Sequence, residues 1–77
     1  MKNLQITINY QLGCRIRYLR QQRGLTIEQL ALEADVNRNY LNDLERGTRN
    51  PTVKILNRIA VALQIDLSYL FEGIQEL

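Results

Sequence analysis

The sequence predicts an all-α fold, a compact five-helix domain, and three observations predict it. Apolar residues recur at helical spacing, as in Leu12, Ile16 and Leu19, or Leu56, Ile59, Ala60 and Leu63. Gly24, Gly47, the Asn50-Pro51 pair and Gly73 cut the chain into helix-sized pieces. With 77 residues, 45% of them hydrophobic, the chain suits one domain around one core.

Residues 1–8 read as an N-terminal arm and residues 9–77 as the single domain. Leu4, Ile6 and Ile8 alternate with polar residues, a strand-like pattern. Three placements stay open for this arm: lying on the body, forming an early turn of the first helix, or pairing as a strand across a dimer. The first helix spans about 9–23, where Gly24 can take the left-handed position that ends it. The second, about 26–34, opens at Thr26, with Gln29 at the spacing of a reciprocal cap, and turns Leu30, Ala31 and Ala34 inward. Asp35-Val36-Asn37 is a short turn in which Asp35 must tolerate a positive φ. Asn37 caps a third helix, about 38–46, with Leu41 and Leu44 inward and Gly47 closing it. Asn50 precedes proline and is driven extended, so no helix crosses this point. Thr52 caps a fourth helix with Val53, Leu56, Ile59, Ala60 and Leu63 inward. Asp66 caps a short fifth, about 66–73, carrying Leu67, Leu70 and Phe71.

Composition removes several functional classes. Cys14 is the only cysteine and there is no histidine, which excludes an intrachain disulfide and a structural zinc site. With no phosphate-cradling glycine loop and no paired-carboxylate site, we expect no enzyme activity, no cofactor and no metal; Cys14 has no histidine to activate it. No apolar run approaches the roughly 20 residues that span a bilayer, and the secretory pattern is missing, so a cytoplasmic protein without membrane contact is expected. So short a chain buries a modest share of its surface, and a partner chain is the remaining route to extra stability. Net charge is only +2, but its distribution is uneven. Lys2, Arg15, Arg17, Arg20 and Arg23 precede any acid, whereas Asp66, Glu72 and Glu76 follow the last base. A basic body with an acidic end suits one face for a polyanion and another for something else.

Two short helices joined by a three-residue turn inside a five-helix domain make a helix-turn-helix layout. Outward residues of the third helix are Arg38, Asn39, Asn42 and Asp43, all able to hydrogen-bond. Arginine can grip guanine O6 and N7, asparagine can read adenine N6 and N7, and aspartate can accept from cytosine N4. These four are the candidate base contacts; the bland reading is a solvated helix face. Arg46, Arg49, Asn50 and Lys54 follow this helix and are candidates for the DNA backbone, Arg49 alternatively for the minor groove or for plain solvation. Tyr69, Leu70, Phe71, Ile74 and Leu77 exceed what so short a helix can hide, which marks a candidate homodimer face, although Leu70 could instead close the monomer core. Tyr10, Cys14 and Tyr18 recur along the other side of the first helix, as a second contact stripe or as three partly exposed side chains.

The runs Arg20-Gln21-Gln22-Arg23-Gly24-Leu25-Thr26, Glu28-Gln29-Leu30-Ala31, Leu44-Glu45-Arg46-Gly47 and Arg49-Asn50-Pro51-Thr52 stand in an order and spacing that resembles the phage-repressor-like Cro/CI (xenobiotic-response-element) family. The likeness covers about residues 9–72. Arg38-Asn39-Tyr40 through Arg49-Asn50, with the chain's size, looks like the controller proteins of restriction-modification systems. The resemblance implies a lambda-repressor-like fold whose third helix enters the major groove of double-stranded DNA. It implies that Tyr40 touches the DNA backbone, the alternative being a partly buried ring on the second helix. It also implies that Arg20 and Glu45 form a structural ion pair. One departure matters: the family's usual glutamine at the first turn of the second helix is here Ile27, which cannot donate to phosphate through its side chain. The expected function is sequence-specific transcription regulation by a homodimer on a pseudo-palindromic operator, with RNA polymerase as a candidate partner. The alternative is an antitoxin-like protein-interaction module that also binds DNA.

Overall fold

The computed structural model describes residues 7–74, so the arm placements resting on Leu4 and Ile6, and the interface residue Leu77, lie outside the described residues. Five helices follow in order: α1 Ile8–Gln22, α2 Ile27–Ala34, α3 Arg38–Glu45, α4 Val53–Ala62 and α5 Leu67–Leu70. Among the described residues there is no strand, and no helix is long and apolar enough to cross a membrane. Ile8 belongs to α1 rather than to an arm, because the Thr7 hydroxyl accepts from the Tyr10 amide and starts the helix one residue earlier than its pattern indicates.

Local chemistry accounts for the other boundaries. Thr26 and Gln29 satisfy each other's free amides, at 3.0 and 2.8 Å. Asn37 accepts from the amides of Asn39 and Tyr40, and Thr52 from that of Ile55. Each such cap contributes about 1 kcal/mol. Asp35 closes α2 in the left-handed region with φ 57°, and Val36 donates back to the Ala31 carbonyl at 3.0 Å. Gln64, at φ 62°, ends α4 in the same way, a left-handed position that no glycine announces. The α5 helix has no side-chain cap bond from Asp66 and lasts a single turn before the chain turns again at residues 71–73.

The core gathers Leu12, Ile16 and Leu19 of α1, Leu30, Ala31 and Ala34 of α2, Leu41 and Leu44 of α3, and Leu56, Ile59, Ala60 and Leu63 from α4 and its end. The α1 helix packs on α3, α2 on both α3 and α4, and α4 on α5. Two expected positions are corrected here. Val53 points outward, 68% exposed, because the first turn of α4 projects beyond the core that Leu56 and Ile59 fill. Leu70 is fully enclosed, held over the end of α4 as the last piece of the monomer core, so it has no surface to offer a partner.

The tightest approach is between α1 and α3 at Gly13. A β-carbon there would lie 2.5 Å from the carbonyl oxygens of both Leu44 and Glu45. Only a residue without a side chain lets the end of α3 press against α1. Gly47 answers the same crossing from the other side: it sits at φ +85°, and a β-carbon on it would fall 2.9 Å from the Tyr10 α-carbon.

Candidate nucleic-acid interface

The α2–turn–α3 unit holds α3 by its inner face, where Leu41 and Leu44 are wholly buried, and this leaves Arg38, Asn39 and Asn42 exposed along its outer face. Arg38 is the first residue of α3, and its Nε lies 3.5 Å from Oε2 of Glu28 in the first turn of α2. Both groups are well exposed, so this pair is readily exchanged for another partner. Ile27 is half-buried against the core, which makes it an anchor of the α2 entry rather than a polar contact.

Asp43 differs from the other outward residues of α3. Its carboxylate is half-buried and already engaged: Arg49 donates to Oδ2 from Nε at 3.4 Å and Nη2 at 3.3 Å, and Arg46 Nη1 lies 3.8 Å from Oδ1. The Arg49 guanidinium also covers the ring of Tyr40 at 5.2 Å from its centroid. Tyr40 is half-buried and packs against the core, so the ring is a platform with one face under Arg49. Thr48 fastens the loop to α3 by donating its amide and hydroxyl to the Asp43 carbonyl, each at 3.1 Å. Asn50 accepts from the side-chain amide of Asn9, which ties the same loop to the start of α1. Lys54 is exposed on the first turn of α4. Structure thus brings Arg38, Asn39, Asn42, Arg46, Arg49, Asn50 and Lys54 to the exposed surface of α3 and the segment that follows it.

Arg20 belongs behind this face. Its Nε donates to Glu45 Oε2 at 2.7 Å and its Nη2 to Oε1 at 3.0 Å, while Nη1 reaches the Leu25 carbonyl at 2.7 Å. Both side chains are about nine-tenths buried. This two-pronged pair rivets α1 to α3 and fixes the angle at which α3 is presented.

Arg15 pins the segment around α5 to α1. It donates to the Tyr69 carbonyl at 2.8 Å, lies 4.7 Å from the centre of the Tyr69 ring, and approaches Glu72 at 3.8 Å. Tyr69 and Phe71 remain exposed, and Ile74 packs half-buried on the core. Between α1 and this segment runs an open groove of about 360 Å³ whose lining includes Tyr10, Cys14, Tyr18, Glu72 and Ile74. A hydrogen bond with the Cys14 thiol holds the Tyr10 phenol above its ordinary pKa of 10.0. Sequence reasoning found this stripe but not its lid, and missed Gly13, Arg15 and the Asn9–Asn50 tie. Nothing in the local sequence singles out Arg15, because its partners Tyr69 and Glu72 lie far along the chain.

Residues 16–70 match the model of the helix-turn-helix family. The chain is 39% identical over 63 residues to the HTH-type transcriptional regulator SlrR of Bacillus subtilis (strain 168), an alignment that covers 80% of the chain and 41% of SlrR. The chain spans less than half the length of this and the next two curated relatives it matches. The crystal structure of the restriction-modification controller protein C.AhdI from Aeromonas hydrophila superposes with a TM-score of 0.79 at 37% identity, covering 80% of this chain and 94% of that one. The controller protein C.Esp1396I, solved as a tetramer with its natural operator, superposes with a TM-score of 0.80 at 30% identity, covering 87% of this chain and 88% of that one. These relatives bear out the likeness to Cro/CI-type regulators and the five-helix fold expected from it.

Proposed function

The chain belongs to the helix-turn-helix family, and on that premise we propose that it is a sequence-specific, double-stranded DNA-binding transcription regulator acting as a homodimer on a pseudo-palindromic operator. The observation that carries this reading is the exposed polar face of α3, with Arg38 at its N-terminus and Asn39 and Asn42 along it. In a major groove these side chains contact base edges in pairings that distinguish guanine and adenine. Tyr40, Arg46, Arg49, Asn50 and Lys54 stand beside that face and contact the phosphate strand, which sets register without carrying sequence information. The operator complex of C.Esp1396I supports the assignment by likeness. The regulator relatives support transcription as its purpose, and the two controller proteins favour that subclass.

Self-association uses the C-terminal face. Tyr69 and Phe71 present exposed aromatic surface beside Ile74 and the α1 groove, a cluster suited to a two-fold contact. Such a dimer presents two α3 helices about 34 Å apart, one turn of DNA. Selection of bound sites from a random duplex library tests the reading directly. A two-fold motif with half-sites about 10 bp apart is expected. Enrichment of no motif would instead favour a protein-interaction module.

A further inference from the structure

We infer that Asp43 is a specificity-determining positioning residue: it latches Arg49 beside the reading helix and withholds this arginine's charge from phosphates met out of register. The inference rests on the DNA-binding reading above and gives Asp43 a task other than contact with a base. Its carboxylate takes two donors from Arg49, at 3.3 and 3.4 Å, and has Arg46 at 3.8 Å, so the two arginines nearest the end of α3 share one internal counter-ion. The Asp43 side chain is 31% exposed against 50% for Arg49, so the carboxylate sits under the guanidinium rather than out in solvent. Tyr40 supplies a second constraint, with Arg49 lying over its ring. The loop itself does not depend on this carboxylate, since Thr48 is fastened to the Asp43 backbone carbonyl.

Sequence-independent affinity for DNA comes from cations that replace the counter-ions of phosphates. An arginine already paired with a carboxylate replaces fewer of them, because one ion pair must be exchanged for another. In a seated complex the loop, Tyr40 and Asp43 hold Arg49 at one place relative to α3, where a phosphate of the correct register meets it. On mismatched DNA the nearest phosphate lies elsewhere, and a latched Arg49 cannot swing to it. The carboxylate thus lowers binding to mismatched DNA more than binding to the operator. Glu28 stands in the same relation to Arg38, but across two well-exposed side chains, so its hold is looser.

Asp43→Asn keeps the shape and removes the charge. Titrations would compare wild type and variant on a mixed-sequence duplex, and on the duplex recovered by site selection, across a salt series. The expected result is tighter binding of Asp43→Asn to the mixed-sequence duplex at low salt, with a log–log salt dependence steeper by about 0.9, the value of one additional phosphate contact. Affinity for the selected duplex should rise less, so discrimination falls. In an Arg49→Ala background the gain from Asp43→Asn should be at least halved, which separates a latch from simple repulsion between Asp43 and DNA. Unchanged or weaker binding to the mixed-sequence duplex, or a gain undiminished without Arg49, would overturn the latch. A changed base preference at one position of the selected site would overturn it too, in favour of direct reading by Asp43. If wild type binds neither duplex at low salt, the DNA-binding reading itself has failed.

Discussion

Replacing Gly13 by alanine is the sharpest test of how this fold presents α3. In an isolated helix the change is favourable by about 1 kcal/mol, since glycine is the poorer helix former. Here the added methyl would lie 2.5 Å from two backbone carbonyl oxygens and 2.8 Å from the carbonyl carbon of Glu45, nearly an ångström inside ordinary contact. No side-chain rotation relieves this, because the obstacles are α3 backbone. The helices must part, and a gap of 0.5–1 Å forfeits a quarter to a half of each dispersion contact across it. Overpacking of this kind costs about 1–3 kcal/mol. The backbone nature of the clash places Gly13→Ala near the upper end, for a net loss of about 2 kcal/mol after the propensity gain. For a domain of this size that lowers Tm by roughly 8–16 °C. Thermal unfolding followed by far-UV circular dichroism at one protein concentration measures it. A Tm equal to or above that of wild type would refute the close crossing and with it the account of how α1 seats α3.

Three further outcomes follow from the same structure. Arg20→Ala leaves the Glu45 carboxylate buried without its cation and should cost about 3–5 kcal/mol in urea denaturation, whereas the paired change Arg20→Met with Glu45→Leu should recover most of it; equal stability of the single and double variants would contradict a buried, mutually dependent pair. Arg38→Ala should weaken operator binding by about 1–3 kcal/mol and relax preference at one base pair per half-site, leaving mixed-sequence binding less affected; equal losses on both duplexes would place Arg38 on the backbone instead. Phe71→Glu should shift the dimer equilibrium by about 3 kcal/mol, since two aromatic side chains lose their burial in one two-fold contact, and sedimentation at micromolar concentration should then find monomer. A dimer as tight as wild type would move the contact to another face.

Much of the helical frame was legible in the sequence because it is written in short range. Thr26 with Gln29, Asn37 before Arg38, and Thr52 after proline each act within three residues, and the structure shows all three caps. Asp35 holds the turn position that must go left-handed, and it does. The Arg20–Glu45 pair is legible only through likeness to a family, since nothing in the local spacing of two residues 25 apart announces a contact. Val53 shows the limit of periodicity: it continues the α4 stripe in sequence yet lies beyond the end of the core that would cover it.

By itself, then, the sequence determined five helical segments, the caps that open three of them and the residue types offered on the outer face of the third, because helix period and capping depend on neighbours within a turn or so. Tertiary structure decided what those residues touch. Gly13 meets Leu44 and Glu45, Arg15 meets Tyr69, Asn9 meets Asn50, and Asp43 takes Arg49 only once the crossing of α1 on α3 and the path of the loop after Gly47 are set. The same holds for Leu70, which a linear pattern leaves equally suited to a core and to an interface until α5 packs on α4. A helical stripe states which side is apolar, while the partner on that side is chosen by helix crossings that depend on the whole chain at once.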